Sequence, residues 1–144
     1  MARRVLRIAF AVVAWLFVIA VVVQIFLAGV GFFVPGVDTF SYHRSFGWLL
    51  HGGPLPVLLL AWAAGAGRST IWLCVALFVL VLVQPFLPGM RQDLPFVAAL
   101  HPVNAVAIFW LGVTVARRAT ILARQRIPEA TTATQRFEGA VDDL

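Results

Sequence analysis

Four long runs of apolar residues divide the chain, and glycine, proline or charged residues separate them. The runs occupy residues 8–31, 43–66, 70–87 and 95–116. A helix needs about 20 predominantly apolar residues to cross the hydrocarbon core of a bilayer. Each run therefore predicts one transmembrane helix, and together they predict an all-α integral membrane four-helix bundle. The first run is too long for the apolar core of a secretory signal, which holds about 7–15 residues.

The second run contains more polar and helix-breaking residues than a membrane span normally does: His43, Arg44, His51, Pro54 and Pro56. Proline is tolerated in a membrane helix because neighbouring helices can satisfy the carbonyl groups that it frees. We expect the second helix to be kinked between Gly52 and Pro56.

The four runs predict a single transmembrane domain over residues 1–126. Residues 127–144 contain Thr, Gln, Glu and Asp with few apolar residues. Such a segment buries too little apolar surface to offset the entropy lost on ordering, so we predict a disordered tail.

The composition supports the membrane assignment. The chain is 62% hydrophobic and 12% charged, with a mean hydropathy of +0.96, whereas soluble domains are about 25% charged. The net charge of +5 could indicate a nucleic-acid-binding protein. The arginines, however, flank the apolar runs instead of lining one face, so the expected partner is the lipid bilayer and not a nucleic acid.

The arginines also predict the orientation of the chain in the membrane. If the chain crosses the membrane four times, two arginines lie at one end of the bundle: Arg44 and Arg91. Eight lie at the other end: Arg3, Arg4, Arg7, Arg68, Arg117, Arg118, Arg124 and Arg126. By the positive-inside rule we expect both termini to be cytoplasmic, with the protein crossing the inner (plasma) membrane several times.

The chain contains an internal repeat. Residues 21–29 and 81–89 share the pattern V-x-V-Q-x-F-L-x-G, and each copy ends an odd-numbered span that precedes a histidine-bearing span. The repeat predicts two copies of a helical hairpin that form a pseudo-symmetric bundle.

Spacing along the helices predicts a polar layer. Each span has one polar side chain 16 or 17 residues from an arginine at the proposed cytoplasmic end: Gln24, His51, Gln84 and His101. At about 1.5 Å per residue, all four would lie roughly 25 Å above those arginines. We interpret the two glutamines as interhelical hydrogen-bonding groups rather than as quinone or cofactor contacts, and we expect Asn104 to bond across the bundle or cap a helix.

Two histidines that project inward from facing helices of a bundle can hold a haem iron between their imidazoles. His101 is the first predicted ligand, and its partner is either His43 or His51. The predicted cofactor is haem b, and Arg44 and Arg91 could pair with its propionates. The predicted site also includes the polar side chains around the ligands: Gln24, Gln84 and Asn104.

Two short motifs carry resemblances to known proteins. Residues 43–47 read His-Arg-Ser-Phe-Gly, which resembles the His-Arg-x-x-Gly helix start of haem A synthase-type bundles. In those bundles, paired histidines on the second and fourth helices of each half serve haem. Residues 100–105 read Leu-His-Pro-Val-Asn-Ala. This stretch and the His-Arg-x-x-Gly stretch both recur in a family of small bacterial four-span proteins of uncharacterised function, which the chain resembles over residues 5–118.

The two lines of reasoning differ on which histidine pairs with His101. Counting residues from the arginines favours His51, because that count places His51 at the same depth as His101. The resemblance implies His43, and so does the repeat, because His43 follows Gln24 by 19 residues and His101 follows Gln84 by 17. We prefer His43, since a proline kink makes counting along the second helix inaccurate.

The leading function is a small b-type, haem-binding membrane protein with an electron-transfer or haem-handling role. The alternative is a non-enzymatic membrane subunit or assembly partner whose histidines and glutamines only join helices. A third hypothesis is a small-solute or ion conduit formed by oligomers. The sequence has no catalytic motif, since intramembrane carboxylate pairs, phosphate-binding loops and nucleophile elbows are all missing. With four spans instead of eight, haem A synthase activity is not implied.

Overall fold

The computed structural model describes residues 1–34 and 39–125, so the predicted tail at 127–144 lies outside the described residues. The described part of the chain is helical, as the apolar runs predict. Its helices are α1 (Ala2–Phe33), α2 (Thr39–His51), α3 (Pro54–Ala63), α4 (Arg68–Val83), α5 (Phe86–Gly89), α6 (Pro95–Ala98) and α7 (Leu100–Arg124).

Four stretches of these helices are long and apolar enough to cross a membrane. Span 1 is Ala2–Phe33, span 2 is Phe40–Ala63, span 3 is Arg68–Gly89 and span 4 is Pro95–Arg124. Their outward faces expose large apolar side chains, including Trp48, Trp62 and Trp110. Because such a surface is unfavourable in water, it confirms an integral membrane protein.

Span 2 is interrupted in the middle, as its prolines predict. Helix α2 ends at His51, Gly52 and Gly53 form a turn, and α3 begins at Pro54. Proline has no backbone N–H to donate to the preceding turn, so the helical hydrogen bonding cannot continue through Pro54 unchanged. The Gly53 N–H donates to the Leu50 carbonyl at 2.9 Å, which is a tighter turn than the α-helix makes.

A Schellman motif ends span 2. The Ala66 N–H donates to the Ala61 carbonyl at 2.9 Å, and the Gly65 N–H donates to the Trp62 carbonyl at 3.1 Å. Gly65 adopts φ of +72°, which only glycine reaches at little cost, so it is the residue that lets the chain reverse here. The motif satisfies carbonyl groups that would otherwise have no partner at the helix end.

The spans form a closed bundle in chain order. Helix α1 packs against α2, α3 and α7, while α4 packs against α3 and α7, so spans 1 and 4 are neighbours. The buried core lies between α1, α3, α4 and α7, and its fully enclosed side chains include Phe10, Val57, Leu77 and Val115. Over residues 40–51, helix α2 has no fully buried side chain; Leu50 packs on the core, the Phe40 ring contacts Phe32 of α1, and polar groups add further bonds to the bundle.

The two adjacent glycines of span 2 differ in their surroundings, which gives a test of the fold. A Cβ at Gly53 would lie 2.9 Å from the Phe17 ring and 3.0 Å from the Leu50 carbonyl oxygen, whereas a Cβ at Gly52 would meet only the Leu49 carbonyl oxygen at 3.9 Å. We expect Gly53→Ala to lower the free energy of unfolding by about 1–3 kcal/mol through overpacking. Gly52→Ala should change it little.

The measurement is the unfolding midpoint of both variants and the wild type in the same detergent. Equal midpoints for Gly52→Ala and Gly53→Ala would contradict the close packing of Gly53 on α1.

Candidate functional site

Span 1 and span 2 are joined by two reciprocal hydrogen bonds between Gln24 and His43. The Gln24 side-chain amide Nε2 donates to the His43 backbone carbonyl at 2.9 Å. In return, the His43 ring nitrogen Nδ1 lies 3.1 Å from the Gln24 backbone carbonyl oxygen. Each side chain thus bonds the backbone of the other residue.

Span 3 and span 4 are joined in the same way. The Gln84 Nε2 donates to the His101 backbone carbonyl at 3.0 Å, and the His101 Nδ1 lies 3.0 Å from the Gln84 backbone carbonyl oxygen. The glutamines come from the two copies of the sequence repeat. The predicted pseudo-symmetric hairpins are therefore confirmed, down to the atoms that join their helices.

Pro88 leaves the Gln84 carbonyl without its helical hydrogen-bond donor, unlike the Gln24 carbonyl of the first half. In an α-helix the carbonyl of residue 84 would receive the N–H of residue 88, but residue 88 is proline and has none. Helix α4 ends at Val83 with Gln84 as its C-cap. The His101 Nδ1–H fills this acceptor, so the helix end is satisfied inside the membrane.

The structure brings His43 and His101 together. Their ring centroids lie 6.3 Å apart, with the ring planes 73° from parallel. Both side chains are partly buried. Because spans 2 and 4 are opposite one another in the bundle, the two rings meet across its interior. The ring beside His101 is that of His43, the histidine that the repeat favours.

The hydrogen bonds determine the protonation of both rings. A carbonyl oxygen only accepts hydrogen bonds, so the Nδ1 atoms of His43 and His101 must carry the proton. In a neutral imidazole the Nε2 atom then keeps its lone pair. Both rings are thus held in the tautomer in which Nε2 can ligate a metal.

Gly47 provides the room that the Gln24 side chain needs. Gly47 lies one turn after His43, and a Cβ built on it would lie 2.8 Å from the Gln24 Nε2. Glycine at this position therefore lets the amide reach the His43 carbonyl. The His-Arg-x-x-Gly motif has a physical explanation, since it pairs the bonded histidine with the space for its partner.

The two halves differ in the side-chain hydrogen bonds around the glutamine. Asn104 donates through Nδ2 to the Gln84 Oε1 at 2.6 Å and to the Leu80 carbonyl at 2.9 Å, which confirms the predicted bond across the bundle. Three residues after His43, the corresponding position is Phe46, which has no polar group. The Gln24 Oε1 is buried and has no hydrogen-bond partner among the described residues.

His51 lies away from the paired rings. Its Nδ1 donates to the Gly47 carbonyl of its own helix at 3.2 Å, its ring packs on Trp48, and its buried Nε2 has no hydrogen-bond partner in the described part of the chain. The count of residues back from Arg68, which favours His51, passes through two breaks in the helical rise. Helix α3 ends at Ala63, and neither the following turn nor the Gly52–Gly53 interruption contributes a full helical rise.

The remaining predicted site residues lie at the same end of the bundle. Arg44 follows His43 directly and is exposed, and Arg91 is exposed in the connection between spans 3 and 4. The described residues contain no cluster of three or more His, Cys, Asp or Glu side chains that could hold a metal ion.

Sequence reasoning identified the histidines and glutamines but missed Gly47 and Pro88. Neither residue carries a functional group, so a search for chemistry along the sequence overlooks them. The signal for Gly47 was present in the spacing of the His-Arg-x-x-Gly motif. The signal for Pro88 was its position four residues after Gln84, where it frees one carbonyl group.

Gly47→Ala should break the bond between spans 1 and 2. The added Cβ displaces the Gln24 amide from the His43 carbonyl, and we expect a loss of about 1 kcal/mol in the free energy of unfolding. Gly29→Ala is the matched control, because a Cβ there meets nothing within 4 Å. Unfolding in detergent would measure both, and a Gly47→Ala variant as stable as Gly29→Ala would contradict the proposed contact.

Comparison with known proteins adds a family match but no function. Residues 24–90 match a family of unknown function (DUF6220), a stretch that begins at Gln24, includes His43 and Gln84, and ends before His101. No curated protein and no solved structure matches the chain. Over somewhat less than half of its length, the chain is thus similar to a family of unknown function, in agreement with the resemblance seen in its sequence.

Proposed function

We propose that the protein binds haem b between the Nε2 atoms of His43 and His101. One observation supports the proposal: the two ring centroids lie 6.3 Å apart across the bundle, and each ring has its Nδ1 bonded to a backbone carbonyl. That arrangement orients the ring and leaves the ligating nitrogen unprotonated.

The spacing of the rings fits a metal between them. Metal–imidazole bonds are about 2 Å long, so two imidazoles on opposite sides of one ion have centres about 6 Å apart. The observed centroid distance is 6.3 Å. Gln24 Nε2 lies 3.3 Å from His43 Nε2, and ligation would replace this weak contact while the amide keeps its bond to the His43 carbonyl.

Each surrounding residue has a role in this proposal. The Gln24 and Gln84 carbonyls hold the Nδ1 protons, which makes the rings stronger donors to iron. Arg44 and Arg91, at the same end of the bundle, supply the positive charge that haem propionates require. The apolar side chains around the rings would cover the porphyrin.

Bound haem would supply one-electron redox chemistry at one end of the bundle. The two ligands lie at the end that carries Arg44 and Arg91, so a single haem there exchanges electrons on one side or takes part in haem handling. Either role requires a membrane redox or assembly partner to deliver or receive the electron or the haem.

A second candidate is a non-enzymatic membrane subunit or assembly partner. The observation that favours it is that the Gln–His pairs already join neighbouring spans through four hydrogen bonds without any ligand. In this case the histidines have only a structural role, and the protein binds no cofactor.

Visible absorption of the purified protein separates the two candidates. After expression with ample haem precursor, we expect a Soret band that sharpens on dithionite reduction, with resolved α and β bands. His43→Ala and His101→Ala should each abolish the bis-histidine spectrum. His51→Ala is the control and should retain it, because His51 is bonded within its own helix.

A wild-type protein that stays colourless after haem titration contradicts the haem proposal and favours the structural subunit. A spectrum lost in His51→Ala but kept in His43→Ala would place the ligands elsewhere.

We further propose that the arginine-rich end faces the cytoplasm of a bacterial cell. In a Cys74→Ala background, a membrane-impermeant maleimide added to intact cells should label Gln92→Cys but should label Ser69→Cys only after permeabilisation. Both positions are exposed and lie at opposite ends of span 3. The reverse pattern of labelling would invert the orientation.

A further inference from the structure

A second site lies at the arginine-rich end, opposite the histidines. A cavity of about 460 Å³ opens there between the start of α1, the turn after α3, the start of α4 and the end of α7. Its volume falls in the range of small-molecule sites, about 300–1,000 Å³. Two guanidinium groups line it, together with the following residues: Phe10, Gly65, Ala66, Gly67, Thr70, Ile121, Leu122 and Gln125.

The first guanidinium belongs to Arg7 on α1. The side chain is partly buried, and its Nε is buried with no hydrogen-bond partner among the described residues. Among the described residues its one hydrogen bond is long, from Nη1 to the Gln125 carbonyl at 3.4 Å. A guanidinium has five N–H donors, so most of the donors of Arg7 are unused.

The second guanidinium belongs to Arg118 on α7, and the start of α4 positions it. Its Nη1 donates to the Ser69 hydroxyl at 3.1 Å and reaches the Thr70 hydroxyl at 3.5 Å. Helix α4 has Gly67 as its N-cap and no side-chain cap, so the backbone N–H groups of its first turn add positive potential here.

No carboxylate of the described residues neutralises these two cations. Over residues 1–34 and 39–125 the one acidic residue is Asp93, which lies at the opposite end of the bundle. Arg118 is exposed and Arg7 is partly buried, and their like charges line one cavity, where the buried Nε of Arg7 has no hydrogen-bond partner among the described residues. An anion bound between them would balance these charges and accept a hydrogen bond from this Nε.

We propose that this cavity binds a phosphate group between Arg7 and Arg118. Guanidinium groups match phosphate oxygens in pairs, and a helix N-terminus adds to the attraction. The phosphate can belong to the headgroup of an anionic phospholipid or to a soluble phosphate. Phe10, Ile121 and Leu122 would contact the glycerol and first acyl carbons of a lipid.

Binding to the full-length, delipidated protein in detergent tests the proposal. One arm titrates dioleoylphosphatidylglycerol against dioleoylglycerol, which has the same chains without phosphate. The other titrates inorganic phosphate against chloride at equal ionic strength. Each arm measures an apparent dissociation constant from the rise in the unfolding midpoint.

We expect Arg7→Gln and Arg118→Gln to weaken binding about tenfold or more, since each loses charged hydrogen bonds to the phosphate. Arg117→Gln is the control, because Arg117 is exposed at the same end and does not line the cavity. Arg118→Lys keeps the positive charge but loses the planar guanidinium group that can donate two parallel hydrogen bonds, so we expect an intermediate affinity. This variant also tests whether the weaker binding of the glutamine variants reflects misfolding instead of the lost charge.

Binding of phosphatidylglycerol alone identifies a lipid site, and binding of inorganic phosphate as well identifies a phosphate site open to soluble ligands. Both results support the proposal. An equal loss of affinity in Arg117→Gln, or no midpoint rise with either phosphate probe, overturns it.

Discussion

The bundle depends on the satisfaction of backbone and amide groups in a medium without water. In hydrocarbon an unpaired carbonyl or N–H costs several kcal/mol, so the backbone groups of a span and most of its polar side-chain atoms require partners in the protein. Gln24 with His43 and Gln84 with His101 meet this requirement by bonding each other's backbone. The same bonds align the imidazole rings, and together with the packing of Phe40 and Leu50 they attach α2 to the bundle.

Glycine and proline set the positions where these bonds can form. Gly47 leaves the space through which the Gln24 amide reaches span 2, and Pro88 removes the N–H that would otherwise occupy the Gln84 carbonyl. Gly53 brings span 2 against Phe17 at the interruption. Residues that weaken helices in isolation thus allow the helices to be joined tightly.

The two hairpins have diverged around a shared arrangement. Asn104 satisfies the Gln84 amide oxygen in one half, whereas Phe46 replaces it in the other and leaves the Gln24 Oε1 buried without a partner in the described chain. The opposite end of the bundle has no such symmetry, because Arg7 and Arg118 converge there on a single cavity. The protein therefore has two polar ends of different chemistry, separated by an apolar core.

The sequence by itself determined the all-α fold, the four spans, the break near Pro54 and the repeat, because membrane spans and prolines act locally along the chain. It also identified the histidines and glutamines of the site. Only the tertiary structure decided that His43, and not His51, faces His101. Depth along a helix cannot be counted through an interruption and a turn, and the direction of a ring depends on the carbonyl that accepts its proton. Only the structure could show that Arg7 and Arg118 line the same cavity, because residues 111 positions apart come together only when spans 1 and 4 pack against each other.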